Sequence, residues 1–247
     1  MEKFIMVNDD NWHLELYNIL KTPVSRLNYI SNLNLKNNSL YIETPKVACT
    51  AIKKLLLCEL DESLVYIEPT QIHSLAQQRI ARIMSFNKEV VFNAFFGDAF
   101  RYAFVRNPFT RILSAYLDKI VKNQWERQRL LPGLGVDPSE NISFSVFLDK
   151  ISIIESHKQD IHFTSQCNLL MPNKIKYSYI GRFETFENDI EHLVSKNIFS
   201  KSFLNEMSVG KHHQTNAEKR LKEYVTPEVE RKILKIFAKD FEEFNYS

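Results

Sequence analysis

Two short stretches of the chain carry residue types suited to gripping a phosphorylated anion. The first, YIETPKVACTAIKKLLL, reads as a strand, a turn at Thr44–Pro45, then Lys46 and the start of a helix. Amides left unpaired at a helix N-terminus point outward, and the helix dipole favours negative charge there. Ala48, Cys49, Thr50 and Ala51 are small enough to let anionic oxygens approach that backbone, and Lys46 adds a movable positive charge. A lysine and a threonine at a helix start are common, so this stretch alone is as well explained by ordinary packing. The second stretch, RYAFVRNPFTRILSAY, places Arg106 at the end of a β-prone run and Ser114 eight residues later on a helix. A guanidinium and a hydroxyl suit a phosphate monoester.

The elements that must position these groups follow from pattern. Residues 40–44 (LYIET), 65–68 (VYIE), 101–105 (RYAFV) and 177–181 (YSYIG) read as strands, and helical patterns such as SLAQQRIARIM and TFENDIEHLVSK lie between or after them. Strands alternating with helices predict a single α/β domain with a central parallel sheet covered on both faces. In such a sheet, neighbouring strand ends share one crevice, so Arg106 and Ser114 are expected to meet the Lys46 turn there. After Arg106, Asn107 is placed to cap a helix and Pro108 suits its first turn. Ile112, Leu113, Tyr116, Leu117, Ile120 and Val121 form its apolar stripe, and Arg111, Ser114, Asp118 and Lys122 are expected on its exposed face. A last helix is expected from Thr226–Pro227, with Val229, Ile233, Phe237, Phe241 and Phe244 on one side. The Pro/Gly-rich stretch 131–142 reads either as a loop shaping a second substrate's cleft or as a plain connector.

Composition narrows the class. A 247-residue chain with 44% hydrophobic residues supports one sizeable core, and a net charge of +2 demands neither nucleic acid nor an anionic membrane as partner. Any anion recognition must be local. Five scattered glycines exclude a Gly-rich dinucleotide binder, and Asp and Glu show no clustered metal-ligand spacing. Cys49, Cys58 and Cys167 leave one thiol over under any pairing and show no zinc spacing, which reads most simply as reduced cysteines in a cytoplasmic protein. The opening MEKFIMVNDDNWHLELYNIL carries acidic and polar residues in every apolar run, unlike a signal peptide or membrane span.

PKVACTAIK and FVRNPFTRILSAYLDK, in that order, resemble the 5′-phosphosulfate and 3′-phosphate motifs of the carbohydrate sulfotransferases that use 3′-phosphoadenosine-5′-phosphosulfate (PAPS). YIGRFETFENDIEHL and the ending IFAKDFEEFNY are similar to the family's later strand–helix segment and C-terminal helix, so the resemblance spans residues 40–246, while residues 1–39 carry no recognisable motif. It implies a P-loop-like sulfotransferase fold, PAPS as donor, adenosine 3′,5′-bisphosphate (PAP) as product and no required metal. Lys46 would then touch the sulfate and the bridging oxygen, residues Val47, Ala48, Cys49, Thr50 and Ala51 the 5′-phosphate, and Arg106 and Ser114 the 3′-phosphate. A late loop closes over the nucleotide in related enzymes; SVGKHHQT at 208–215 is the candidate, with Lys211, His212 and Thr215 as contacts, or else it is merely solvated.

In-line transfer to a hydroxyl needs a base. His73, a short turn after VYIE, is expected in the same crevice, although it also suits the start of the following helix. His162, in DIHFTSQ, resembles the family's H-W-x-P-Q segment with Phe163 and Ser165 as departures; His13, His157 and His192 read as surface or structurally satisfied residues. The acceptor implied is a carbohydrate or another hydroxyl compound, against which Trp12 or Trp125 would stack if either is not core. Two rival readings are a nucleotide kinase, which lacks its G-x-x-x-x-G-K-[ST] loop here, and a non-catalytic nucleotide binder of the same fold.

Overall fold

The computed structural model describes residues 11–203 and 216–247. Its elements in chain order are α1 (Trp12–Leu20), α2 (Val24–Ile30), β1 (Ser31–Asn34), β2 (Ser39–Ile42), α3 (Cys49–Leu60), α4 (Ile72–Arg79), α5 (Lys88–Phe96) and β3 (Phe100–Val105), followed by α6 (Pro108–Tyr116), α7 (Gln124–Leu130), α8 (Phe144–Ser152), α9 (Gln166–Leu170), β4 (Tyr179–Arg182), α10 (Phe186–Ser195), α11 (Ala217–Tyr224), α12 (Pro227–Ile236) and α13 (Ala238–Glu243).

Alternation along the strands sorts the helices into layers. Leu40 and Ile42 of β2 and Ala103 and Val105 of β3 face one side, where they bury against Leu16, Leu20, Leu27, Val91 and Phe95 from α1, α2 and α5. Tyr41, Tyr102 and Phe104 face the other, against Ile52, Leu55, Ile72, Ile190 and Leu193 from α3, α4 and α10. A third cluster needs no strand: Ile112, Leu113 and Leu117 pack on Phe147, Ile151, Ile233 and Phe237, so α6, α8 and α12 form a helical lobe beside the sheet. Gly181 is required at its position in β4, because a Cβ there would lie 2.5 Å from the Phe104 ring.

The four strands run in the order β1-β2-β3-β4, with β2, β3 and β4 parallel. Their carboxyl ends therefore open on one edge, and the chain leaves that edge at Pro45–Lys46, at Arg106 and at Phe183. The expected α/β architecture and mostly parallel sheet are thus present, with three departures. An antiparallel edge strand, β1, pairs Ser31 with Ile42 and Asn34 with Ser39. VYIE at 65–68 is not a strand: Glu62–Tyr66 is a 3₁₀ turn with Tyr66 82% exposed, and the helix after it ends at Arg79. The C-terminal helix breaks at Phe237 into α12 and α13.

The α6 cap is as expected, with Asn107 accepting from the Phe109 amide and Pro108 in the first turn. Its expected polar face is buried at Arg111 and Ser114, 1% and 3% accessible, but partly open at Asp118 and exposed at Lys122, and Val121 of the expected apolar stripe is exposed. Beyond Tyr116 the helix widens into a π-helical turn over Leu117–Lys122, which presents Asp118 and Lys119 on the sheet-edge side of the lobe. Among the described residues no helix is long and apolar enough to cross a membrane.

Candidate active site

The turn after β2 holds an uncommon backbone. Lys46 and Ala48 sit at φ 68° and 52°, the left-handed region that non-glycine residues avoid at a cost of roughly 1 kcal/mol each. This coil turns the chain straight from strand into α3, so that helix begins at the sheet edge. The Val47 side chain is fully buried in the core, whereas Ala48, Cys49, Thr50 and Ala51 line a cleft of about 1670 Å³.

Arg106 reaches the same place from β3. Its Nη1 donates to the Lys46 carbonyl at 3.1 Å, its Nε donates to Thr110 Oγ1 at 3.0 Å, and its guanidinium stacks 4.2 Å from the Phe183 ring centroid. Its backbone is clamped by Gln166, which accepts from the Arg106 amide and donates to the Arg106 carbonyl, each at 2.8 Å. Gln166 is fixed in turn by Asp240, whose carboxylate accepts from the amides of Gln166 and Cys167 at 2.8 Å. Burial pulls Arg106 down to about 10, partly opposed by Glu184, so it remains a cation at neutral pH. Ser114 lines the cleft one helical face away.

Arg111 is the strut that the expected exposed face concealed. Its Nε donates to the Pro45 carbonyl at 3.1 Å, while Nη1 and Nη2 donate to the Thr164 and Ile161 carbonyls at 2.8 and 3.3 Å. One buried guanidinium thereby joins the residue before Lys46 to the residue before His162. Burial lowers it to about 10, leaving it charged.

A string of ion pairs follows the cleft wall. Lys46 Nζ donates to Asp118 Oδ2 at 3.0 Å, and Asp118 lies 3.5 Å from Lys119, which pairs with Glu126 at 2.6 Å. Glu126 meets Arg129 at 2.8 Å, Arg129 meets Asp160 at 3.1 Å, and Asp160 Oδ1 meets His162 Nδ1 at 2.6 Å. Burial alone would raise the Asp118 carboxyl, yet Lys46 and Lys119 outweigh it and hold it below its ordinary value. At Asp160 burial is likewise overcome by His162 and Arg129, and the carboxyl is held well below the usual range. None of these acidic partners was singled out from the sequence, because they lie up to 72 residues apart along the chain.

His73 is in the cleft as expected, but not by way of a strand. It rides on α4, which packs on α3 through Ile72 and Ala76, and its Nε2 is 2.9 Å from Thr50 Oγ1. Its Nδ1 is 3.3 Å from Lys53, which is buried against Glu43. His13, His157 and His192 contribute nothing to the cleft lining, and neither does the stretch 131–142, which packs on the helical lobe as a connector. Trp12 is core; Trp125 is 67% exposed and lines the cleft. Lys211, His212 and Thr215 lie outside the described residues.

A strand edge thus brings a lysine-led turn, a clamped arginine and a buried serine to one cleft of an α/β protein. Residues 32–247 match the model of the Sulfotransferase family, and the chain belongs to that family. It is 30% identical over 210 residues to carbohydrate sulfotransferase 10 of Homo sapiens, covering 73% of this chain and 58% of that protein. It is 30% identical over 188 residues to the Rattus norvegicus carbohydrate sulfotransferase 10, covering 65% of this chain and 52% of that one. Human carbohydrate sulfotransferase 9 is 27% identical over 64% of this chain and 39% of its own length. The chain thus spans little more than half of the carbohydrate sulfotransferase 10 sequences. No solved structure matches it.

Proposed function

We propose that this protein is a sulfotransferase that moves a sulfuryl group from PAPS to a carbohydrate hydroxyl and releases PAP. The observation that carries the reading is the 3.1 Å bond between Arg106 Nη1 and the Lys46 carbonyl, which puts both predicted phosphate-binding elements on one cleft. The donor set fits such a nucleotide: α3 amides, the Thr50 and Ser114 hydroxyls and the Lys46 and Arg106 cations offer hydrogen bonds and positive charge at two separated points. A cleft of about 1670 Å³ also leaves room for a sugar beside the donor.

In this scheme the amides of residues 47–51 and Thr50 hold the 5′-phosphate, and Arg106 with Ser114 holds the 3′-phosphate. Lys46 exchanges Asp118 for the bridging oxygen, where it stabilises the negative charge that builds as the sulfuryl group departs. No step calls for a metal. Residues 216–219 border the cleft, which supports a nucleotide contact from the adjoining 208–215 segment. An exposed Trp125 on the cleft wall supports a carbohydrate acceptor, since its ring offers a stacking face to a sugar. The names of the related carbohydrate sulfotransferases support it too.

The experiment is transfer of labelled sulfate from PAPS to a panel of p-nitrophenyl glycosides and soluble polysaccharides. Labelled product from at least one is expected; PAP binding with no transfer to any would favour a non-catalytic nucleotide binder.

A further inference from the structure

Among the described residues two histidines line the cleft, and their surroundings differ in kind. Both ring nitrogens of His73 face protein groups, Thr50 Oγ1 at 2.9 Å and the Lys53 ammonium at 3.3 Å. Thr50 is assigned above to the 5′-phosphate, so His73 backs the donor-holding turn. His162 instead stands in the arrangement of a general base with an orienting carboxylate. Its Nδ1 is 2.6 Å from Asp160 Oδ1, and the same Oδ1 accepts from the His162 amide at 3.0 Å, fixing ring and backbone together. Asp160 is anchored by Arg129 at 3.1 Å. The Nε2 of His162 has no partner among the described residues, and the side chain lines the cleft.

The position is as telling as the pairing. Arg111 bonds the Pro45 carbonyl through one nitrogen and the Ile161 carbonyl through another, so Lys46 and His162 each follow directly on a residue held by one guanidinium. Trp125 stands near this end of the cleft, its ring 5.9 Å from the Arg129 guanidinium.

We infer that His162, oriented by Asp160, is the base that receives the acceptor hydroxyl's proton, and that His73 is a positioning residue for Thr50. This rests on the sulfotransferase reading. The proton leaves the hydroxyl for His162 Nε2 as the acceptor oxygen bonds to sulfur, and the bond from sulfur to the bridging oxygen breaks with its electron pair going to PAP. The imidazolium then returns the proton to solvent. With Nδ1–H donated to Asp160, the neutral ring presents its lone pair to the cleft, the tautomer a base requires. The charged groups facing it are Asp160, Lys119 and Glu126, with Arg129 behind Asp160; burial sets its proton affinity below that of an ordinary histidine, and Asp160 offsets part of that.

The test compares His162→Asn, His73→Asn and Asp160→Asn with the unaltered protein. It follows PAP release from PAPS with the glycoside sulfated fastest or, where none is sulfated, with water as acceptor. His162→Asn keeps an amide donor for Asp160 and is expected to lower kcat by about 10²–10⁴-fold with PAP affinity changed less than about threefold. His73→Asn is expected to act mainly on the KM for PAPS. The unaltered protein should lose kcat/KM along a one-proton limb centred below pH 6.5, because only the neutral ring accepts a proton. Asp160→Asn should move that limb to lower pH, by removing the charge that favours the imidazolium, and should reduce kcat about 10–100-fold. Retention of kcat within tenfold in His162→Asn, or collapse of kcat in His73→Asn with PAP affinity intact, would overturn the assignment. So would an unmoved limb and unchanged kcat in Asp160→Asn, which decides the matter if His162→Asn does not fold. Absence of PAP binding in the unaltered protein would remove the sulfotransferase reading itself, a distinct outcome.

Discussion

At the residue scale, the roles proposed for Lys46 and Arg106 separate reacting from holding. Lys46 extends to the cleft wall and is parked on Asp118, a partially exposed carboxylate that a stronger anion can displace, whereas Arg106 is locked by Thr110, Phe183 and the Lys46 carbonyl. Lys46→Ala is therefore expected to cut kcat by about 10²–10³-fold while PAP affinity changes little. Arg106→Ala is expected to weaken PAP binding about 10–100-fold, the worth of a charge-assisted bond, with a smaller loss in kcat. Titration calorimetry with PAP and steady-state kinetics separate the two, and equal effects on both quantities in both variants would refute these roles. These residues were legible because each follows a β-prone run within a motif of fixed spacing. Arg111 was misplaced because a charged helix residue is ordinarily solvated; the carbonyls of Pro45, Ile161 and Thr164, from two distant loops, and the nearby Asp240 carboxylate make its burial tolerable. Asp118 left no local signal, since its partner Lys46 lies 72 residues away, and the pairs Asp160–His162 and Glu126–Arg129, though close in sequence, gain their place on the cleft wall only by folding.

At the element scale, strained and clamped backbone does the positioning. Ala48 caps α3 from the left-handed region, where a glycine would be at ease. Ala48→Gly is expected to raise stability by about 1 kcal/mol, some 2–4 °C in Tm by calorimetry, with donor binding preserved. The clamp on Arg106 predicts the opposite sign. Asp240 is fully buried and caps α9 with both oxygens, so Asp240→Ala strands two amides and should cost about 3 kcal/mol, lowering Tm by roughly 5–10 °C. PAP affinity should fall with it, because Gln166 loses its anchor. The sequence showed β2, β3 and β4 through their apolar β-branched and aromatic residues. It hid β1, whose SNLN lacks such residues; the strand pairs with β2 through the backbone, and Arg82, about 50 residues on, donates to the Ser31 carbonyl and to Asn32 Oδ1. VYIE misled for the reverse reason, a β-prone run that finds no strand to pair with and stays in a turn.

At the scale of the whole molecule, a chain of net charge +2 gathers cations on one sheet edge and neutralises most of them in sequence along the wall. The parallel strands supply the edge, the helical lobe supplies the second wall, and Arg111 ties the two together. This edge is expected to read a nucleotide by its 3′-phosphate, and thermal stability with PAP, 5′-AMP or ATP plus magnesium measures that directly. PAP at a hundred times its Kd should stabilise the protein by about 2.7 kcal/mol, with little effect of 5′-AMP or ATP at the same concentration, and Arg106→Ala should erase the difference between PAP and 5′-AMP. Equal stabilisation by PAP and 5′-AMP, or by ATP alone, would contradict it.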